Sequence, residues 1–286
     1  MKAADTYLNS SQWSRPSGAT QDVGLHLRLF GSGSDSLLLL HGLTASNLYF
    51  GAAYDTLGNH ARVIVPDLLG FGRSPRPDYA DYGADAQVDA LVSALDRIDA
   101  NGSLYIAAHS AGTLVALRLA TRRPDWVRGV IAFGPPLYPG PERARTHVAS
   151  MGWWVRMFAL DTVWARTACA WMCRHRRVAA RIARWLRPDL PTAIADDSVQ
   201  HSWVSYSRTV RNLVLDAQPP RDLAGLKIPI VLVVGEDDPV VDLAFVRELA
   251  ARYPNIQLEI WPGSHDLPLS ASDRCVAAIR EWVRRI

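Results

Sequence analysis

Three short motifs carry side chains whose types suit one reaction between them. Ser110 lies at the centre of Ala108-His109-Ser110-Ala111-Gly112, directly after the apolar run 104–108 and directly before a helical pattern. A strand that turns this sharply into a helix strains the backbone of its apex residue and pushes the side chain outward. The chain nearly touches itself there, so the residues two before and two after must be small, as Ala108 and Gly112 are. A second apolar run, 228–234, leads into Gly235-Glu236-Asp237-Asp238-Pro239, and a third, 256–261, into Pro262-Gly263-Ser264-His265. A serine hydroxyl is a weak nucleophile until an imidazole takes its proton. The imidazole in turn needs a carboxylate to fix its tautomer and stabilise its charged form. Alone, Ser110 reads as a helix cap, Asp238 as a turn residue and His265 as a surface loop residue. Together they supply a nucleophile, an orienting acid and a base, each after a predicted strand. Asp238, held before the rigid Pro239, is the preferred acid and Asp237 the second choice. Asp266 is read as a solvated carboxylate pointing away from an orienting role.

Acyl transfer also needs fixed donors for the oxyanion. The backbone amide of Ala111, at the start of the helix, is one candidate. The other is the backbone amide of Leu43 in His41-Gly42-Leu43-Thr44, where Gly42 permits a tight path. His41 is expected to brace this loop. Asp67 is expected to tie together the turn Gly70-Phe71-Gly72-Arg73-Ser74, which lacks the Gly-Lys-Ser of a phosphate loop.

These residues must be presented by regular elements. Strand patterns occupy 23–30, 37–40, 62–66, 104–108, 127–133, 228–234 and 256–261. Helical spacing covers 84–98, 111–123, 241–253 and 271–285. Such alternation predicts a mostly parallel sheet covered by helices on both faces, with chemistry at the carboxyl ends of its strands. The stretch from about 138 to 218 breaks the pattern. It is nearly all helical, bounded by Pro135-Pro136, Pro139-Gly140-Pro141 and Pro219-Pro220.

Taken together, His41-Gly42, Asp67 with its glycine turn, the Ser110 elbow, Gly235 to Pro239 and Gly263-Ser264-His265 resemble the α/β-hydrolase superfamily. The resemblance implies an eight-stranded, mostly parallel sheet flanked by helices, a helical cap inserted after the sixth strand, and no cofactor or metal. The expected core is residues 1–138 and 219–286, and the expected cap is 139–218. Ser110, Asp238 and His265 fall on the triad positions. A serine at the apex disfavours the dehalogenases and epoxide hydrolases, which carry aspartate there. Carbon–carbon hydrolases often have Asn before the serine and Trp after the histidine, where this chain has His109 and Asp266. The expected function is cleavage of a carboxylic ester or lactone through an acyl-enzyme. A carbon–carbon hydrolase or a low-turnover ligand receptor of the same fold are the alternatives.

Composition narrows the partners. The chain has 286 residues, a net charge of +3, 31 Lys and Arg together, and 10 Trp. Between Pro139 and Pro220 lie 12 Arg, no Lys and six acids, so that segment carries +6 and the rest about −3. Six Trp lie there: Trp153, Trp154, Trp164, Trp171, Trp185 and Trp203. This predicts either a small helical core with a solvated arginine face, or a lid over an apolar or aromatic pocket that rests on a lipid surface. A few Trp are expected to face the site. The substrate is expected to be a small ester or lactone with an apolar or aromatic portion. No basic block or zinc-finger spacing points to nucleic acid. Three Cys make no disulfide framework, and Cys169 and Cys173 are read as free buried thiols. The polar stretch Met1 to Gly18 does not read as a signal peptide, and no apolar run approaches the ~20 residues of a membrane span. A soluble cytoplasmic protein is expected.

Overall fold

Solid runs of branched apolar residues need burial on both faces, and the strands that receive it form one sheet. The computed structural model describes Ser14, Ser17 and residues 19–22, 24–151 and 163–286. Trp153, Trp154 and most of the polar stretch from Met1 to Gly18 lie outside the described residues. The strands are β1 Ala19–Asp22, β2 His26–Phe30, β3 Ser36–Leu40, β4 Arg62–Pro66, β5 Leu104–His109, β6 Val127–Phe133, β7 Ile230–Gly235 and β8 Ile256–Trp261. Their order across the sheet is β1-β2-β4-β3-β5-β6-β7-β8. β3 to β8 run parallel, in pairs such as Leu40 with Ala108 and Ala108 with Ala132. β2 is antiparallel to β4, and the short β1 is added antiparallel at the edge. The single strand expected over 23–30 is therefore shorter and follows a turn. Gly24 takes φ 88°, a left-handed conformation suited to glycine, between β1 and β2.

Alternation along the strands sorts the core into two layers. Leu38 and Leu40 of β3 face α1 (Ala84–Asp96), α2 (Gly112–Arg122) and α9 (Leu243–Arg252), where Val88, Leu91, Val115, Leu119 and Val246 are buried. Leu37 and Leu39 face the other way, onto Tyr54, Leu57 and the last helix, α10 (Ser272–Arg285), through Val276, Ile279 and Trp282. Burying each such side chain stabilises the fold by roughly 1.5–3 kcal/mol before chain entropy is opposed to it.

Among the described residues, the connection from β6 to β7 is helical: α3 Pro141–Ser150, α4 Val163–Arg174, α5 Arg176–Leu186, α6 Thr192–Asp197 and α7 Trp203–Arg208 follow one another. α7 continues as a wider π-helical turn over Thr209–Leu215, and α8 (Pro219–Leu223) leads back to the sheet. Among the described residues, the inserted cap forms a small core of its own from Tyr138, Ala144, Val148, Val210 and Leu215. Trp164, Trp171 and Trp185 lie in neither that core nor the sheet layers. Trp164 is 81% and Trp185 79% exposed. Trp203 is half-buried beside Tyr206, their ring centres 6.1 Å apart. Cys169 is buried and Cys173 half-buried, both reduced, with sulfurs 4.0 Å apart.

Candidate active site

The sheet order reverses between β3 and β5, because the chain passes from β3 to β4 on one side and returns to β5 on the other. That reversal opens a crevice at the carboxyl ends of the two strands. Ser110 stands there, after β5, with φ 49°. Such a conformation costs a non-glycine residue about 1–3 kcal/mol. Neighbouring contacts hold it: the Ser110 amide donates to the Phe133 carbonyl at 2.9 Å. α2 starts so close to β3 that a Cβ on Gly112 would stand 2.7 Å from the carbonyls of Leu40 and His41. Ala108, also small, is fully buried.

The β3 loop passes beside the serine. A Cβ at Gly42 would lie 2.9 Å from Ser110 Cβ. The next residues are Leu43 and Thr44, the latter at φ 56°. Among the described residues, neither the Leu43 amide nor the Ala111 amide donates to a backbone carbonyl. His41 braces this loop: Nδ1 donates to the Gly42 carbonyl at 2.7 Å, and Nε2 accepts from the Leu68 amide at 2.9 Å. Its complete burial lowers its pKa, which suits that neutral tautomer. Asp67 accepts from the amides of Asn47 (2.6 Å) and Arg73 (2.7 Å), tying the two loops together.

His265, after β8, reaches both expected partners. Its Nε2 lies 2.9 Å from Ser110 Oγ, and its Nδ1 lies 2.9 and 3.0 Å from the two carboxylate oxygens of Asp238. Asp238, not the exposed Asp237, presents the carboxylate. Its side chain is fully buried and its Oδ1 also accepts from the Val240 amide at 2.8 Å. Burial alone would lower the histidine's pKa, but the hydrogen bond and charge of Asp238, with Asp266 behind, raise it. Gly134, after β6, also spaces the site, although the sequence does not single it out. A Cβ there would stand 2.9 Å from His265 Nδ1 and 3.0 Å from Asp238 Oδ2. Its position directly after an apolar run is the same signal that marked Ser110 and His265.

A second set of groups backs the histidine, and it corrects one expectation. Asp266 is not a solvated carboxylate. Tyr49 donates to its Oδ1 at 2.9 Å, and Arg187, just beyond α5 of the cap, donates to its Oδ2 at 3.0 Å. Burial pushes this carboxyl up. His109, His265, Arg187 and the Tyr49 hydrogen bond outweigh burial and hold it below the usual range. Arg187 is held in turn by Asp189 at 2.7 Å. The His109 ring stacks on Tyr49, centres 4.7 Å apart, and its Nε2 lies 3.1 Å from the His265 carbonyl. Burial, and then the nearby His265, push His109 down to about 4, so it is neutral. Tyr49 and Arg187 lie far from His265 in sequence and carried no local signal.

Among the described residues, no group of three or more His, Cys, Asp or Glu is gathered as a metal site, and no helix is long and apolar enough to cross a membrane. A cavity of about 580 Å³ lies between β8 and the last helix, lined by Pro229, Asn255, Trp261 and Trp282 and not by Ser110.

This arrangement agrees with what the chain resembles. Residues 35–271 match the model of the alpha/beta hydrolase fold. The chain is 26% identical over 271 residues to a probable lysophospholipase, BODYGUARD 5 of Arabidopsis thaliana, covering 85% of this chain and 60% of that one. It is 35% identical over 133 residues to lipase LipV of Mycobacterium tuberculosis, covering 45% of this chain and 48% of the lipase. The chain thus spans only about half to three-fifths of the length of these relatives. Among solved structures, the enol-lactonase of Burkholderia xenovorans superposes with a TM-score of 0.72 at 18% identity, covering 93% of this chain and 100% of that one. A thermophilic esterase of Thermogutta terrifontis gives 0.68 at 21% identity, covering 94% and 99%. The family model spans most of the chain, and the protein belongs to the alpha/beta hydrolase fold family, with a helical cap inserted between β6 and β7.

Proposed function

We propose that this protein is a serine hydrolase that cleaves a carboxylic ester or lactone through an acyl-enzyme, with Ser110, His265 and Asp238 as its triad. The observation that carries this reading is the continuous pair of hydrogen bonds, 2.9 Å each, from Ser110 through His265 to Asp238, at a serine with φ 49°. The relatives named as a lysophospholipase and a lipase support an ester as the bond cleaved. Ser110 Oγ attacks the carbonyl carbon while His265 Nε2 takes the hydroxyl proton. Asp238 holds the Nδ1–H and stabilises the imidazolium that forms. The amides of Leu43 and Ala111 receive the oxyanion, where fixed donors act most strongly. The imidazolium then gives its proton to the leaving alkoxide. Water, deprotonated by His265, releases the acid and restores the serine. The core, residues 1–138 and 219–286, carries out this chemistry, and the cap, 139–218, selects a substrate with an apolar or aromatic portion.

A fluorophosphonate probe and a panel of p-nitrophenyl esters test the reading. The wild-type protein labels at Ser110 and turns over esters, and Ser110→Ala removes both. Labelling that survives Ser110→Ala removes the serine from the mechanism. Turnover of vinylogous diketones without ester turnover replaces the reading with carbon–carbon hydrolysis.

A further inference from the structure

α5 presents two stripes to solvent. Val178, Ile182 and Trp185 recur at i, i+4 and i+7, and Arg177, Arg181 and Arg184 recur at the same spacing one residue earlier. On a helical wheel the two stripes lie side by side, about a quarter-turn apart. The only fully buried residue of the helix is Ala179. An ordinary surface helix hides its apolar stripe and shows its charged one. Here both face outward: Val178 is 42%, Ile182 40% and Trp185 79% exposed. Neighbouring α4 adds Trp164 and Trp171 to the exposed apolar side chains. Two helices in contact that each expose large apolar side chains mark a docking face.

Charge identifies the occupant. Arg184 is tied to Asp196. Arg177 and Arg181 are exposed and have no acidic partner among the described residues. The segment from Pro139 to Pro220 carries a net +6. A helix with arginines along one stripe and Trp, Ile and Val along the next is built to lie in an interface. Its apolar residues enter the headgroup–acyl boundary while the guanidinium groups stay at the phosphates. An acidic protein partner would answer the arginines but not the adjacent Trp–Ile–Val stripe as a plane. The position also fits. The stripe ends at Trp185, two residues before Arg187, which binds the carboxylate next to His265.

We propose that the outward face of α5, with Trp164 and Trp171 of α4, docks on a lipid surface rich in anionic headgroups. Docking sets the mouth of the crevice beside the acyl region, so a lipid ester reaches Ser110 without crossing water. That last consequence rests on the serine-hydrolase reading; the docking does not.

The test uses the full chain carrying Ser110→Ala, so that binding is read without turnover. Flotation with unilamellar vesicles compares phosphatidylglycerol–phosphatidylcholine mixtures with phosphatidylcholine alone. The protein floats with the anionic vesicles, and added salt weakens the association. Replacing Arg177 and Arg181 together by Gln weakens partitioning by about 30-fold, from ~1 kcal/mol per basic residue at such a surface. Ile182→Ser with Trp185→Ser abolishes flotation at an unchanged Tm. Three results would overturn the proposal: no flotation with anionic vesicles, equal flotation with neutral ones, or flotation indifferent to both double variants. A concentration-dependent dimer that Ile182→Ser with Trp185→Ser dissociates, with no vesicle binding, assigns the face to a second copy instead. Vesicle binding by a protein whose wild type turns over no ester leaves the docking standing and removes the hydrolase reading.

Discussion

Trp282 and Trp185 are the same side chain in two different settings. Trp282 packs edge-on to Tyr105 beneath the sheet and is 7% exposed, whereas Trp185 stands almost fully in solvent on the cap. The arginines divide in the same way. Arg28 lies buried in the core, donating to the Phe50 carbonyl at 3.0 Å and pairing with Asp55 at 3.3 Å. Burial lowers its pKa to about 10. Arg177 and Arg181 of α5 point outward from a helix with one buried residue. The core uses large and charged groups to fix loops against one another. The outward face of α5 displays them. A core organised for one geometry and a cap organised for contact with something else explain why one chain carries both a tightly braced site and so much unburied tryptophan.

The sharpest way to break this contrast is to loosen the core by a single atom type. Asp238→Asn keeps the shape but favours the wrong tautomer of His265, and ester kcat is expected to fall by about 10³- to 10⁴-fold. Steady-state kinetics at saturating substrate reads it, and a loss under tenfold removes Asp238 from its role. Next in size is stability. Trp282→Ala removes a buried indole and is expected to destabilise by about 3–5 kcal/mol. Trp185→Ser, at the surface, should stay within about 0.5 kcal/mol. Urea unfolding followed by circular dichroism compares the two, and equal costs would mean that Trp185 is packed in solution.

The smallest effect joins the two regions. In the proposed mechanism His265 must be neutral to take the serine's proton, so kcat/KM is expected to fall as pH drops through its raised pKa. Arg187 opposes the imidazolium and Asp266 favours it. Arg187→Gln should therefore move the acid limb of the pH profile to higher pH, and Asp266→Asn to lower pH. A merely structural contact would lower activity in both variants without moving the limb in opposite directions.

Much of this site could be read one motif at a time. Ser110, Asp238 and His265 each follow an apolar run, and a parallel sheet brings such positions to one edge whatever the intervening sequence. The helix predicted over 84–98 runs Ala84–Asp96, and the strand over 228–234 runs Ile230–Gly235. Asp266 reads as solvated from the sequence because its partners, Tyr49 and Arg187, are 217 and 79 residues away along the chain. Nothing next to Asp266 announces a half-buried carboxylate with two partners. The outward turn of α5 was equally hidden. Its residue pattern fixes two stripes but not which of its sides meets the core, and small Ala179 turned out to be the buried one.

Gly42, Gly112 and Gly134 follow three different strands, and each leaves a gap that a single methyl group would close to within 3 Å of a neighbour. The groups proposed to react are therefore spaced by close contact between segments that meet only when the whole sheet is assembled. Activity and cooperative folding are one event in such a design: no half-formed sheet can hold a half-competent site. Residual hydrolysis across a urea titration should trace the fraction of folded molecules point for point, which makes turnover a direct gauge of the folded population.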